Sequence, residues 1–302
     1  MKKVVLVLSF ILLFSQGVSA ESIKQYDTNM KRDILCIMMA YPEYVKDVAS
    51  GEDGNIYIVM KSGRKIIYDD KRQKNSQQKF LEPDVQDMME QIYPLDSIEE
   101  VMDEGCDPGR IRVYPILEEV YGGSKNSVEK KLKMANLGYK RFQFNGNNNA
   151  SKSLENAVRE AMSASKKEPR IGECLFPSSG TFNYRNISGT GLRSPHSFGI
   201  AIDLARDKRD YWKWVQKSEG SMRIKSYPKE LVKIFEKNNF VWGGKWNHFD
   251  ILHFEYRPEI ILKSKYFGKS SNNDGKWYKN VPMDNDKVKS YVEKINKLSG
   301  YN

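Results

Sequence analysis

Apolar positions along this 302-residue chain change their period several times, and each change marks an element. Residues 34–40 form a nearly continuous apolar run ended by Pro42, which predicts a buried helix with Asp33 in an early turn. The β-rich runs 56–60 and 64–68, joined around Ser62-Gly63, predict a hairpin. Residues 71–79 are polar and read as a loop. Val85, Met88, Met89 and Ile92 fall at i, i+3, i+4 and i+7 before Pro94, which predicts a helix whose methionines pack in the core. Residues 113–120 and 128–137 read as two further helices divided by Gly122-Gly123. Leu154, Ala157, Val158, Ala161 and Met162 mark an amphipathic one.

From about Ile171 the character changes. Residues 176–190 are rich in Gly, Ser and Thr around a strand-like stretch, 181–185. Residues 199–204 alternate as a strand, sending Ile200, Ile202 and Leu204 to one face and Gly199, Ala201 and Asp203 to the other. Tyr211, Trp212 and Trp214 predict the start of a helix with core aromatics. Another helix, around 231–235, ends at Asn238-Asn239. A second dense apolar segment, 240–256, contains a strand at 252–256 and closes at Pro258. Val288, Val292, Ile295 and Leu298 predict a short last helix.

The chemistry concentrates in those two dense segments. All three histidines, His196, His248 and His253, lie in them. Asp203 sits within an apolar run, and a carboxylate there needs a strong partner. A metal ion is the natural one. Two neutral imidazoles and a carboxylate, with a fourth position left to water, form a catalytic zinc set. Such a site also needs a general base beside it. Asp250, three residues before His253, is the candidate, and it must lie in the turn entering the strand, because positions 250 and 253 of a regular strand face opposite ways. His248 reads as a supporting or exposed residue, and Glu255 as a structural ion-pair partner, with Arg257 available to it. Trp242 and Trp246 fit core packing at least as well as a binding groove.

Composition adds a compartment and removes one class of partner. Lys2 and Lys3, the apolar stretch 4–14 and Val18-Ser19-Ala20 form the three parts of a cleavable export signal ending at Ala20. The expected location is therefore secreted, periplasmic or cell-wall-associated. The apolar stretch is too short to span a bilayer, and no other stretch reads as transmembrane. The formal net charge of +10 favours an anionic partner, although a solvated lysine-rich surface accounts for it equally well. No stacked-aromatic or zinc-finger pattern points to nucleic acid. Cys36, Cys106 and Cys174 allow one disulfide in an oxidising compartment, which is the expectation.

The motif S-x-H-x-x-G-x-A-x-D, carried by Ser194, His196, Gly199, Ala201 and Asp203, is followed by an acid-x-x-H at Asp250 and His253. Together they resemble the VanY-like zinc D-alanyl-D-alanine carboxypeptidases and peptidoglycan endopeptidases, which share a fold with the hedgehog signalling domain and the D-Ala-D-Ala dipeptidases. The resemblance covers about residues 171–267. It implies an α+β fold in which a small antiparallel sheet flanked by helices carries the zinc site. The implied ligands are His196, Asp203 and His253, with Asp250 as general base where many members carry Glu. It also implies an arginine upstream of the first motif that holds the substrate carbonyl. Arg185 is the first choice and Arg193 the second.

The expectation for the whole chain has four parts. They are an export signal (1–20), a helix-plus-hairpin region of unknown role (21–165), a zinc metallopeptidase domain (166–268) and a basic polar tail with a short helix (269–302). The expected function is hydrolysis of a peptide bond in peptidoglycan stem peptides or cross-links, as a D-Ala-D-Ala carboxypeptidase or an L-Ala-D-Glu-type endopeptidase. The rival is a hedgehog-like module that keeps zinc for structure and binds wall or protein without cleaving it. Oligomeric state is open.

Overall fold

A computed structural model of the protein describes residues 20–268 and 276–298. The expected export signal lies, apart from Ala20, outside the described residues. Helix α1 (Ala20–Ala40) carries the first apolar run and buries Met30, Ile34, Leu35, Ile37 and Met38. Strands β1 (Val45–Ser50), β2 (Ile56–Met60) and β3 (Lys65–Ile67) make an antiparallel sheet in that order, and β2–β3 is the hairpin expected around Ser62-Gly63. The polar stretch read as a loop instead starts α2 (Ser76–Leu81), because the Asn75 side chain and Gln78 cap each other's backbone. Helix α3 (Val85–Met89) follows and buries both methionines, but it stops before Ile92, which is exposed.

Helix α4 (Tyr114–Tyr121) forms as expected, whereas the helix expected over 128–137 does not. A capping box between Ser124 and Ser127 limits α5 (Lys125–Glu129) to a little over one turn. The chain then becomes β4 (Leu132–Asn136), paired antiparallel with β5 (Arg141–Asn145) through a turn in which Gly138 takes φ +86°. Tertiary pairing decides this segment, since its apolar positions alone fit either period. Helix α6 (Ala150–Ala164) is the amphipathic helix, and it packs on α7 (Pro169–Leu175), on α9 (Lys229–Lys237) and on the β4–β5 hairpin.

The third sheet has the order β6 (Ala201–Asp203), β8 (His253–Tyr256), β7 (Phe240–Trp242), all antiparallel. Helix α8 (Lys217–Ser226) starts only after the aromatic cluster. Residues 211–214 form a turn, because Trp212 N–H donates to Phe249 O and Tyr211 bridges to Asp250. The strand-like stretch 181–185 is likewise irregular, its backbone held by single bonds to the 194–197 segment. Pro258 opens α10 (Pro258–Phe267) at its first turn, where the missing N–H costs nothing. The last helix, α11 (Asp286–Asn296), folds back onto α1 and β1.

One apolar cluster runs from Met30 to Ile295 through all three sheets and most of the helices, with α2 and α5 outside it. Buried polar contacts cross it as well: Tyr41 donates to Glu259 at 2.6 Å, and Tyr93 to Glu236 at 2.6 Å. Residues 21–165 thus share a core with the segment that carries the candidate chemistry. The expected disulfide is absent, and all three cysteines are free. Cys36 is buried within α1 and Cys174 within α7, where its Sγ lies 4.0 Å from the Arg223 guanidinium. No helix among the described residues is long and apolar enough to cross a membrane.

Candidate metal and catalytic site

Strand register sets the floor of the site. Asp203 of β6 lies directly opposite His253 of β8, and Ala201 lies opposite Glu255, so the carboxylate and imidazole project side by side. Ile200, Ile202 and Leu204 are fully buried, as alternation requires. His196 arrives on a short 3-10 turn, Pro195–Phe198, whose first backbone groups are capped by the Ser194 hydroxyl, which accepts from His196 N at 3.3 Å. That turn ends at Gly199 with φ +67°. A Cβ there would sit 2.8 Å from a Leu132 methyl and 3.2 Å from Asn145 N, so the motif's glycine answers both to backbone conformation and to close packing by the hairpin.

The three expected ligands converge. Asp203 Oδ1 lies 3.2 Å from His196 Nε2 and 2.9 Å from His253 Nδ1, and those two nitrogens are 3.3 Å apart. Four ligand atoms about 2.0–2.1 Å from a tetrahedral ion are separated by about 3.3 Å, so the spacing suits zinc. Tautomers agree with it too. His196 Nδ1 meets Thr181 O at 2.5 Å, so it must carry the proton, which leaves Nε2 bare. On His253 the far nitrogen, Nε2, faces Glu255 Oε2 at 3.8 Å, which leaves Nδ1 toward Asp203. Glu255 is itself fully buried and gripped by Arg112, with bonds of 2.8 and 3.0 Å from Nε and 2.6 Å from Nη2. Arg257 stands farther off, at 3.5 Å. The principal partner of Glu255 therefore comes from residues 21–165, which sequence reasoning did not anticipate. Only a fold can bring positions 112 and 255 together.

Charge in this pocket is arranged for a cation. Burial alone would lower the His253 imidazole, yet hydrogen bonding to Asp203 and Glu255 and the nearby Asp250 raise it to about 10. Burial would likewise raise Asp203, but its bonds to both imidazoles take the carboxyl well below its usual range. Asp250 behaves differently. Burial pushes its carboxyl up to about 7, with Asp203 and Asp210 adding to the rise while His253 and Arg185 oppose it. Asp250 is held by its backbone, donating N–H to Gly243 O at 3.0 Å and accepting from His253 N at 3.1 Å. It thus occupies the turn before β8, as the three-residue spacing demanded. No side chain among the described residues hydrogen-bonds its carboxylate.

These groups line a cleft of about 420 Å³. Arg185 lies on its wall, and its guanidinium has no hydrogen-bond or ion-pair partner among the described residues. Arg193 is committed elsewhere: it pairs with Glu118, donates to Gly123 O at 2.8 Å and covers the Phe198 ring at 4.6 Å. His248 also lines the cleft, but it is turned away from the ligand group and bonded through Nδ1 to Asp107 at 2.7 Å. Trp246 packs against the His253 ring at 5.8 Å and is nearly buried, while Trp242 belongs to the core. Of the three aromatics expected in the core, Trp212 packs against it while partly exposed, and Trp214 is exposed. Tyr211, Trp212 and Trp214 line the cleft, because the turn at 211–214 replaces the helix that would have buried them. Phe80 and Arg110, from the N-terminal region, complete the opposite wall.

Residues 188–256 match the D-alanyl-D-alanine carboxypeptidase family. No curated protein and no solved structure matches the chain. The carboxypeptidase match begins eight residues before His196 and ends three after His253, so it encloses the convergent triad and Asp250. It bears out the resemblance read from the two motifs. Arg185 and Arg112 fall outside it, and so does the whole N-terminal wall of the cleft.

Proposed function

We propose that the protein is an exported zinc metallopeptidase that hydrolyses a peptide bond in peptidoglycan stem peptides or cross-links, with His196, Asp203 and His253 as metal ligands. The observation that carries this reading is the convergence of two imidazole nitrogens and one carboxylate oxygen at the edge lengths of a tetrahedron. When bound, zinc would supply Lewis acidity, lowering the pKa of water and polarising a carbonyl. The chain's own residues supply the rest. Asp250, unpaired at the cleft floor, takes a proton from the attacking water and returns it to the leaving amine. Arg185 is free to donate to the substrate carbonyl oxygen, whereas Arg193 is already engaged. Thr181 and Glu255 hold the two imidazoles in the required tautomers.

The test is incubation of zinc-loaded protein with soluble muropeptides, with and without a chelator, followed by mass spectrometry for new amines. Asp250→Ala is expected to retain zinc and lose turnover by about a hundredfold or more, the scale of a general base. Full activity in that variant would remove Asp250 from the mechanism. Zinc binding with no cleavage of any wall peptide would favour the non-catalytic module.

A further inference from the structure

The turn that carries Asp250 is held from outside the segment matched by the carboxypeptidase family. Four consecutive residues before it each donate to residues 94–108 of the N-terminal region. Lys245 Nζ reaches Pro94 O at 2.7 Å, Trp246 Nε1 reaches Pro108 O at 2.8 Å, and Asn247 N reaches Cys106 O at 2.8 Å. His248 is gripped twice by one carboxylate. Its backbone N–H meets Asp107 Oδ1 at 2.9 Å, and its ring Nδ1 meets Asp107 Oδ2 at 2.7 Å. Asp107 is itself fixed, because its N–H donates to Gln91 Oε1 at 2.8 Å and the Gln91 side-chain amide donates to Gly105 O at 2.7 Å. From the other side, Trp212 N–H donates to Phe249 O at 3.0 Å, and Ile251 N–H to Asp210 O at 2.7 Å. Trp212 also meets the His248 ring edge-on at 4.6 Å. The turn therefore sits in a clamp, with residues 94–108 as one jaw and 210–212 as the other.

We propose that Asp107 is a positioning residue for the proton transfer assigned to Asp250, and that through it the N-terminal region belongs to the catalytic apparatus. The inference rests on the reading of Asp250 as general base and adds to it the device that sets its place. Pro94, Cys106 and Pro108 offer backbone carbonyls, so Asp107 alone supplies its grip from a side chain. A reacting group displaced by about 1 Å loses up to about a hundredfold in rate. His196, Asp203 and His253 lie off this turn, and the two imidazoles keep their own supports.

The experiment measures kcat, KM and zinc content with a soluble muropeptide for the full zinc-loaded chain and for Asp107→Ala, Asp107→Asn and Asp107→Glu, together with amide hydrogen exchange over residues 243–250. Asp107→Ala should lower kcat about tenfold or more, leave KM within about twofold, keep its zinc and speed exchange over the turn. An asparagine has the same length. Its oxygen accepts from the His248 N–H and its amide donates to the ring nitrogen in the other tautomer, so Asp107→Asn should restore most of kcat. A glutamate keeps the charge but carries it one methylene farther, so Asp107→Glu should stay low. That ranking decides between position and charge even where the alanine variant does not fold. The reverse ranking, an unchanged kcat in Asp107→Ala, or a loss carried in KM with exchange unchanged overturns the positioning role. No cleavage by the unmodified protein overturns the peptidase reading instead. Exchange over 243–250 then tests the clamp alone: faster exchange in Asp107→Ala supports it, and equal exchange overturns it.

Discussion

The floor and the rim of the cleft are built in opposite ways. On the floor the two imidazoles and the acid behind them are each held by a second contact: His196 by Thr181 O, His253 by Glu255, and Glu255 by Arg112. On the rim, the guanidinium groups of Arg185 and Arg206 have no polar partner among the described residues, and Trp214 is half open to solvent. A bound metal tolerates little error in ligand placement, so its supports are buried and redundant. A rim that meets substrate gains from groups left unsatisfied until the substrate arrives. The contrast separates residues that fix the chemistry from residues that select what undergoes it.

Removing a floor ligand should have the largest effect. His196→Ala is expected to lose zinc and turnover together, read by metal analysis and by peptide cleavage in the same sample. Retention of stoichiometric zinc would break the assignment of the floor. Next comes the support beneath it. Arg112→Ala leaves Glu255 charged, buried and without its main partner, which should cost about 3–5 kcal/mol of stability in denaturant titration. Zinc affinity should also fall by about tenfold or more, because Glu255, which orients His253, loses its anchor.

A third expectation concerns pH. Asp250 must be ionised to accept a proton, so kcat/KM should rise with pH along an acidic limb. In the metal-free protein that carboxyl titrates at about 7, and a neighbouring cation lowers it, which puts the limb below pH 7. For folding the sign is reversed. Between the unfolded carboxyl value of 3.8 and about 7 the folded state holds the extra proton. The Asp250 contribution to metal-free stability therefore decreases as pH rises through that window. A limb above pH 7 would assign it to another group. The smallest effect belongs to the rim. Trp214→Ala should leave stability within about 0.5 kcal/mol, as for an exposed residue, and move KM more than kcat. A large stability loss would mean that the rim is structural after all.

The same contrast explains what could be read from the chain. Floor residues were legible because strand pairing brings two short motifs together, and local chemistry at Asp203 already demanded a partner. The register that faces Asp203 to His253 follows from alternation. Helices α1, α6 and α9 were legible from apolar periodicity. The 128–137 segment was not, since Leu132, Met134 and Ala135 fit either period until β5 pairs with them. Tyr211, Trp212 and Trp214 look like core by composition. Only the bond from Trp212 N–H to Phe249 O shows that a turn carries them to the cleft. Arg112 had no local signal at all.

The packing of α11 against α1 has a consequence for how the chain is made. The apolar face of the first helix is closed partly by α10 and α11, more than two hundred residues later. Such contacts are among the most distant in sequence that the fold contains, and they form late and slowly. A chain emerging from the ribosome therefore carries an uncovered stripe on α1 until α10 and α11 are released. A truncation before Asp286 should leave that stripe open to chaperones and proteases.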